Sequence, residues 1–124
     1  MLPNTSDITK KIYTILDQIE GLTVTLTMPE NTMTFPIAVI TPPISTGYML
    51  QQHFNMRFSV EVWNDTQYGT MEIADKIKEK MIENDIGLRS DTSIYQDPIT
   101  KKYRITCNFE CRYNCITNTL EPNF

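Results

Sequence analysis

Residues 103–115, with the sequence YRITCNFECRYNC, alternate strictly between apolar and polar side chains and decide how the chain folds. Every odd position is apolar and every even position is polar, which is the signature of a β-strand with one buried and one wet face. At about 3.3 Å per residue this strand is roughly 43 Å long, whereas a compact chain of this size is roughly 35 Å across. We therefore expect the strand to bend, to project, or to lie beside a neighbouring subunit.

The rest of the chain supplies a second long strand, two helices and shorter strands. Residues 51–63 alternate in the same way, with Phe54 and Val62 at the two ends of the apolar face. Apolar residues at helical spacing predict helices from about Thr5 to a left-handed cap at Gly21, and over 67–84 with Met71 on the packing face. Segments 22–26 and 35–41 predict strands, the second buried on both faces, and 86–97 predicts weaker ones before a turn at 97–100. Segments 28–34 and 44–50 are predicted to be loops.

The order of elements predicts an α+β fold. The order is α-β-β-β-α-β-β, and the short links favour a mostly antiparallel sheet of about five strands with both helices packed on one face. The other face of the sheet is expected to be wet or to contact a partner, because two helices cannot cover both sides. Residues 1–124 are expected to form one domain, and the tail at 116–124 carries little pattern and is expected to be extended.

Charge and composition exclude several classes of function. Eleven Lys and Arg against fifteen Asp and Glu give a net charge of −4, which does not support a general phosphate-binding surface. The N-terminus lacks the basic and apolar regions of a signal peptide, and no segment approaches the roughly 18 apolar residues of a membrane span. We therefore expect a soluble protein made in the cytosol, with no membrane partner.

The three cysteines are expected to be buried packing residues. Cys107, Cys111 and Cys115 lie four residues apart on one face of the closing strand, about 13 Å from one to the next. This distance exceeds the roughly 7 Å limit between the Cα atoms of a disulfide and prevents two of them from sharing a zinc ion. We predict no metal site and no cofactor.

Catalytic motifs are absent from the sequence. The four glycines are too far apart for a phosphate-binding loop, and no nucleophile elbow or zinc-protease pattern occurs. The only histidine, His53, falls on the polar face of a strand, where a surface role is favoured over a general base. Glu61 and Glu110 could form a carboxylate pair across two strands, but cross-strand salt bridges with Arg57, Arg104 or Arg112 are favoured. The sequence therefore predicts binding without turnover.

Candidate contact residues for a partner are the large apolar residues in or beside the two predicted loops and the charged residues of the long strands. Tyr48, Met49 and Leu50 have no periodic partner, so they either contact another protein or fold back on the domain. The whole set comprises Met33, Phe35, Tyr48, Met49, Leu50, Arg57, Glu61, Arg104, Glu110 and Arg112.

Several runs resemble one family. FPIAVI at 35–40, FSVEVW at 58–63, EIADKI at 72–77, Gly87-Leu88 and the long closing strand together resemble the tail terminator, or tail-completion (head–tail joining), proteins of tailed bacteriophages and phage-like particles. The resemblance covers roughly residues 8–115 and consists of hydrophobic patterns and element order. It brings no catalytic residues with it.

The resemblance implies a structural virion protein that forms a ring, usually a hexamer, at the head-proximal end of the tail. Such a ring caps the tail tube, stops its polymerisation and joins it to the neck or connector protein, and DNA passes through the lumen without specific binding. It would be assembled in the cytoplasm of a host bacterium. A head–tail connector or neck protein is the nearest alternative, and a small ligand-binding α+β domain is an alternative of a different class.

Overall fold

The computed structural model describes residues 5–27, 34–50 and 52–121, with only the backbone of residues 46–50. Its elements follow the predicted α+β order with three further strands. They are α1 (Thr5–Asp17), β1 (Thr23–Thr25), β2 (Ile37–Ile40), β3 (Ile44–Leu50), β4 (His53–Asn64), α2 (Gln67–Glu83), β5 (Gly87–Asp91), β6 (Tyr95–Gln96), β7 (Tyr103–Asn114) and β8 (Thr119–Glu121).

The two long strands form the centre of the sheet, as their alternation predicts. β4 and β7 are antiparallel and paired along their whole length, from His53 opposite Asn114 to Asn64 opposite Tyr103. Each has 12 residues, with one buried face and one half-buried face. Each of the other strands except β1 pairs with one of these two.

Shorter strands border both sides of this ladder. β2 and β3 lie one after the other along the free side of β4, and β1 lies outside β2. On the other side, β6, β5 and β8 pair with successive parts of β7. The sheet is mostly antiparallel, as predicted, and β1 and β2 form a parallel pair. The chain between them, residues 26–36, is about as long as the connection that a parallel pair needs.

Segment 44–50 is a strand, so the loop prediction for it is wrong. β3 forms a hairpin with β4, with register shifts between Ser45 and Gly47 and between Tyr48 and Leu50. Each shift breaks the two-residue period by which a strand is recognised in a sequence. The other predicted loop, 28–34, lies outside the described residues except for Thr34.

The C-terminal part, predicted to be a patternless tail, also contains a strand. β8 turns back onto the end of β7, with Leu120 opposite Tyr113. The turn includes Asn118 in a left-handed conformation, at a φ of 54°, which Asn tolerates better than most residues. Three residues are too few to show a period.

Both helices pack on one face of the sheet, as predicted. The core between them and the sheet includes Ile12 of α1, Ile77 of α2, and the apolar faces of β4 and β7. Met71, predicted to pack, is 46% exposed, while Thr70 is fully buried in its place. Burial of Thr70 is tolerated because its hydroxyl donates a hydrogen bond to the Thr66 carbonyl. Gly21, after α1, has the predicted positive φ, at 81°.

The opposite face of the sheet carries a small second apolar cluster at one end. Ile37, Val39 and Trp63 are buried there, and Phe35 packs against them. This explains why β2 is buried on both faces, as its continuous apolar sequence predicts. The rest of this face holds the polar residues of β4 and β7, and we call the whole side of the sheet opposite the helices the polar face.

Candidate partner interface

Charged residues on the polar face are paired within the chain. Arg57 lies directly opposite Glu110, with 3.7 Å between Arg57 Nε and Glu110 Oε1. Arg89 of β5 approaches the same carboxylate from the other side, with 3.4 Å between its Nε and Glu110 Oε2. Two guanidinium groups therefore share one carboxylate across three strands, which leaves this row with a net positive charge.

The next row along the sheet is neutral. Ser59 Oγ donates a hydrogen bond to Asn108 Oδ1 at 2.6 Å, and Asn108 Nδ2 donates one to Ser90 Oγ at 3.1 Å. Because these residues belong to β4, β7 and β5, the row also crosses three strands. Polar side chains on this face thus bond to one another.

Arg104 connects a carboxylate with two aromatic rings. Its Nη1 lies 3.9 Å from Glu61 Oε1, and its guanidinium carbon lies 5.5 Å from the centre of the Trp63 ring and 5.1 Å from that of Tyr95. Trp63 Nε1 donates a hydrogen bond to the same Glu61 oxygen at 3.2 Å. The cation is therefore positioned both by charge and by the faces of two rings.

At the other end of the face, Glu121 of β8 accepts hydrogen bonds from Asn114 Nδ2 at 3.1 Å and from Arg112 Nε at 3.2 Å. His53 Nδ1 lies 3.4 Å from the same carboxylate. The hydrogen bond from Asn114 is the main cause that lowers the pKa of Glu121 below its ordinary value, with His53 and Arg112 adding to it. Glu121 thus ties β8 to β7.

The predicted cross-strand salt bridges are confirmed for Glu110 with Arg57 and for Glu61 with Arg104. Arg112 pairs instead with Glu121 of β8. Glu61 and Glu110 do not form a carboxylate pair, because Glu110 lies opposite Arg57, four residues along β4 from Glu61. Sequence reasoning missed the partners on the outer strands, Arg89, Glu121 and Tyr95, since the register of β5, β6 and β8 was not readable. The role of these charged residues at an interface stays a prediction.

The apolar candidates are more scattered. Phe35 lies beside the second apolar cluster, and Lys102 Nζ lies 4.5 Å from the centre of its ring. Tyr48, Met49 and Leu50 lie on β3, where Tyr48 is opposite Phe54 and Leu50 is opposite His53. Met33 lies outside the described residues. Phe35 therefore lies near the Trp63 end of β4, and the backbone of Tyr48 lies near the Phe54 end.

Two edges of the sheet carry exposed apolar residues. Ile44 at the start of β3 is 61% exposed, and Leu88 on β5 is 40% exposed. Among the described residues, β3 pairs only with β4 and β5 only with β7, so each has one side without a strand partner. Unpaired edges with apolar side chains are sites where sheets add further strands.

The cysteines match the packing role predicted for them. Cys107 and Cys111 are fully buried, while Cys115 is half-buried, and all three are free thiols. Burial raises the pKa of Cys107 to about 11 and that of Cys111 to about 12, so both are protonated and weakly nucleophilic near neutral pH. In the part of the chain that the structure describes, no group of three or more His, Cys, Asp or Glu side chains is placed to hold a metal ion.

A surface groove of about 720 Å³ lies between α1, the end of α2 and β8. It is lined by side chains of both charges, among them Lys10, Lys11, Glu83 and Asp85. Ligand sites are usually mostly apolar with a few convergent polar groups, and this mixed lining does not fit that description.

Within the described ranges, no helix is long and apolar enough to cross a membrane.

Comparison with known proteins gives a match of fold. No protein-family model matches the chain, and no curated protein matches it. Among solved structures, a chain in a structure titled "Virion of native gene transfer agent (GTA) particle" superposes with a TM-score of 0.66 at 12% sequence identity. The match covers 82% of this chain and 90% of the other. The protein therefore shares its fold with a chain of a gene transfer agent virion.

Proposed function

We propose that this protein is a structural component of a phage-like virion, where it forms a ring that caps the tail tube and joins it to the head. The observation that carries this proposal is the fold shared over most of both chains with a chain of a gene transfer agent virion. The tail terminator resemblance in the sequence supports the more specific role. In this role the protein binds and does not catalyse a reaction.

The architecture suits ring assembly. A closed ring requires two different patches on each copy, because each copy contacts its two neighbours through different surfaces. The unpaired sides of β3 and β5 lie on opposite sides of the β4–β7 ladder and offer two such patches. The proposed partners are further copies of the chain, which form a hexamer, together with the tail tube protein and the neck or connector protein.

Paired charges on the polar face suit a passage for DNA. The four arginines on this face lie beside three glutamates of the same chain: Arg57 and Arg89 share Glu110, Arg104 lies beside Glu61, and Arg112 lies beside Glu121. A phosphate backbone is attracted mainly by basic side chains that are free to neutralise it. A lumen formed by this face would let DNA pass without specific binding.

The test adds purified protein to polymerising tail-tube subunits and measures tube length by electron microscopy. We expect shorter tubes with extra density at one end. The matched control is the variant Ile44→Asp, which alters an exposed edge residue. It is expected to stay folded but not to cap, so that tubes grow as long as they do without added protein. Tubes of equal length with and without the wild-type protein, without density at their ends, would overturn the terminator role.

A neck or connector role is the second candidate, because it requires the same ring geometry. It predicts that the protein binds to isolated heads that carry a portal and leaves tube growth unaffected. Co-sedimentation with heads and with preformed tubes, measured side by side, separates the two roles.

A further inference from the structure

The four strands at the middle of the sheet alternate in direction. β3 is antiparallel to β4, β4 to β7, and β7 to β5. The two outer strands, β3 and β5, therefore run in opposite directions. A second copy in the same orientation presents its β5 antiparallel to β3 of the first copy, which is the favourable arrangement for an added strand.

We propose that β3 of each copy pairs with β5 of the next, so that the ring contains one continuous antiparallel sheet with four strands from each copy. This proposal rests on the ring of the proposed function and adds the surfaces that close it. The contact is heterologous, since the two edges differ. It also pairs the backbone groups along the two sides that have no strand partner within the described residues.

The offset between the two edges fits a closed sheet. Ile44, Arg57, Glu110 and Gly87 lie in one row across the four strands. From this row, β3 continues towards the His53 end of β4, and β5 continues towards Val60. Their centres are therefore offset by three to four residues along the strands.

This offset corresponds to a tilt of the strands. Three to four residues amount to roughly 12 Å along the strands, against about 19 Å across four strands, which gives a tilt of about 30°. Closed barrels require such a stagger and typically have strands tilted by roughly 35–45°. Matching the centres of the two edges thus produces a geometry close to that of a closed sheet.

Register shifts on both edges also fit this arrangement. β3 has shifts at Ser45/Gly47 and at Tyr48/Leu50, and β5 has one at Leu88/Ser90. Bulges of this kind increase the local twist and bend of a strand, and curved sheets use them at their corners. In the register with matched centres, the exposed residue Leu88 lies opposite Tyr48 of the neighbouring copy and would be covered by it, while Ile44 lies at the end of the contact.

The position of the helices decides which face lines the lumen. α1 and α2 share one face of the sheet, and a helix layer adds about 10 Å of thickness. This layer fits better on the outer side of a ring, where the circumference is larger. The polar face, with its arginine–glutamate pairs, would therefore face inwards.

Paired cysteines test the contact. Matching the centres of the two edges places Thr46 of β3 opposite Ser90 of β5 in the next copy. The variant Thr46→Cys/Ser90→Cys, made with Cys115→Ser to remove the half-buried thiol, is expected to form covalently linked oligomers on mild oxidation. A denaturing gel should show a ladder that ends at the copy number of the ring. A second pair, Thr46→Cys/Leu88→Cys, covers a register shifted by two residues.

Three controls make the result specific. Each single-cysteine variant is expected to stay unlinked, and so is Thr46→Cys/Thr14→Cys, because Thr14 is exposed on α1. Linkage of a single variant would reveal a symmetric contact between identical edges and would overturn the proposal. Thermal melting of each reduced variant confirms that it is folded.

The outcomes separate this proposal from the proposed function. If light scattering shows a ring in the wild type and neither cysteine pair links, edge pairing is overturned while the ring stands. If the pairs link and the protein does not limit tube length, the terminator role fails and edge pairing stands. In the wild type, amide exchange of β3 and β5 that is equally fast in monomer and oligomer would also count against the contact.

Discussion

Arg57 and Glu110 are direct cross-strand partners at the middle of the polar face, with Arg57 Nε 3.7 Å from Glu110 Oε1. The same carboxylate is 3.4 Å from Arg89, so Glu110 holds together two cations from strands on either side of β7. One acidic residue thus keeps two half-exposed arginines from repelling each other. Its removal should have a larger effect than the loss of an ordinary surface charge.

We predict that Glu110→Gln lowers the free energy of unfolding by about 1 kcal/mol, because Arg57 and Arg89 lose their shared partner at a partly screened site. Glu72→Gln, on the exposed side of α2, serves as the matched control and should change stability by less than about 0.5 kcal/mol. Urea unfolding of the two variants measures both values. Equal effects would contradict the role assigned to Glu110.

The lowered pKa of Glu121 predicts a dependence of stability on pH. Because its pKa in the folded protein lies below that in the unfolded chain, the stabilisation is present above the unfolded value of about 4.3 and is lost as the pH falls through the folded pKa. The protection factors of the β8 amides, which correct for the intrinsic slowing of exchange at low pH, should fall on acidification in the wild type. Glu121→Gln should remove much of this pH-dependent loss of protection. An identical pH profile in both proteins would exclude Glu121 as its source.

Thiol reactivity should follow burial. In the native protein at pH 8, a thiol reagent should modify Cys115 first, since Cys107 and Cys111 are buried and their pKa values are raised to about 11 and about 12. Full reaction of all three is expected only in denaturant.

Replacing all three cysteines by Ala or Val should leave assembly intact. The free energy of unfolding should fall by a few kcal/mol, given about 1 kcal/mol for a typical core substitution. Stoichiometric zinc in the purified protein would contradict the packing role.

A charge on the β3 edge should weaken assembly without unfolding the protein. Ile44→Asp is expected to reduce the mass measured by light scattering while the melting temperature stays nearly unchanged, because this side chain is 61% exposed. Ile99→Asp is the matched control, since Ile99 is 88% exposed on the turn before β7. Charges at Tyr48 or Met49 should act like Ile44→Asp. Equal loss of mass in the Ile99 variant would show that the effect is not specific to the edge.

The long strands were predictable because one face of each packs against the helices. Phe58 and Phe109 are buried on that face, while Ser59 and Asn108 lie on the other. This alternation produces the two-residue period that is visible in the sequence. β2 was predictable for the opposite reason, because both of its faces are covered. In each case the pattern of burial is uniform along the strand.

β3 and β8 were not predictable because neither strand carries a regular two-residue period. β3 is an edge strand whose register shifts twice, and β8 is a three-residue strand that depends on a turn at Asn118. The same limit applies to the polar face. The pairing of Arg57 with Glu110 follows from two readable strands, whereas the contributions of Arg89 and Glu121 depend on strands that carry no period. Long-range pairing decided these positions, and local sequence did not.

The break between β2 and β3 divides one side of the sheet into a buried strand and an edge strand. At Thr41, backbone and side chain both donate to the Ser59 carbonyl at 2.9 Å, and Ser59 N donates to Thr41 Oγ1 at 2.7 Å. The following prolines, Pro42 and Pro43, have no amide hydrogen to extend the ladder. β2 is thereby fixed within the core, while β3 begins after a hydroxyl-bonded joint and lies on the edge of the sheet. Substitutions on the free side of β3 can therefore alter what the protein contacts while β2 and β4 keep their places, so the two properties are free to vary separately.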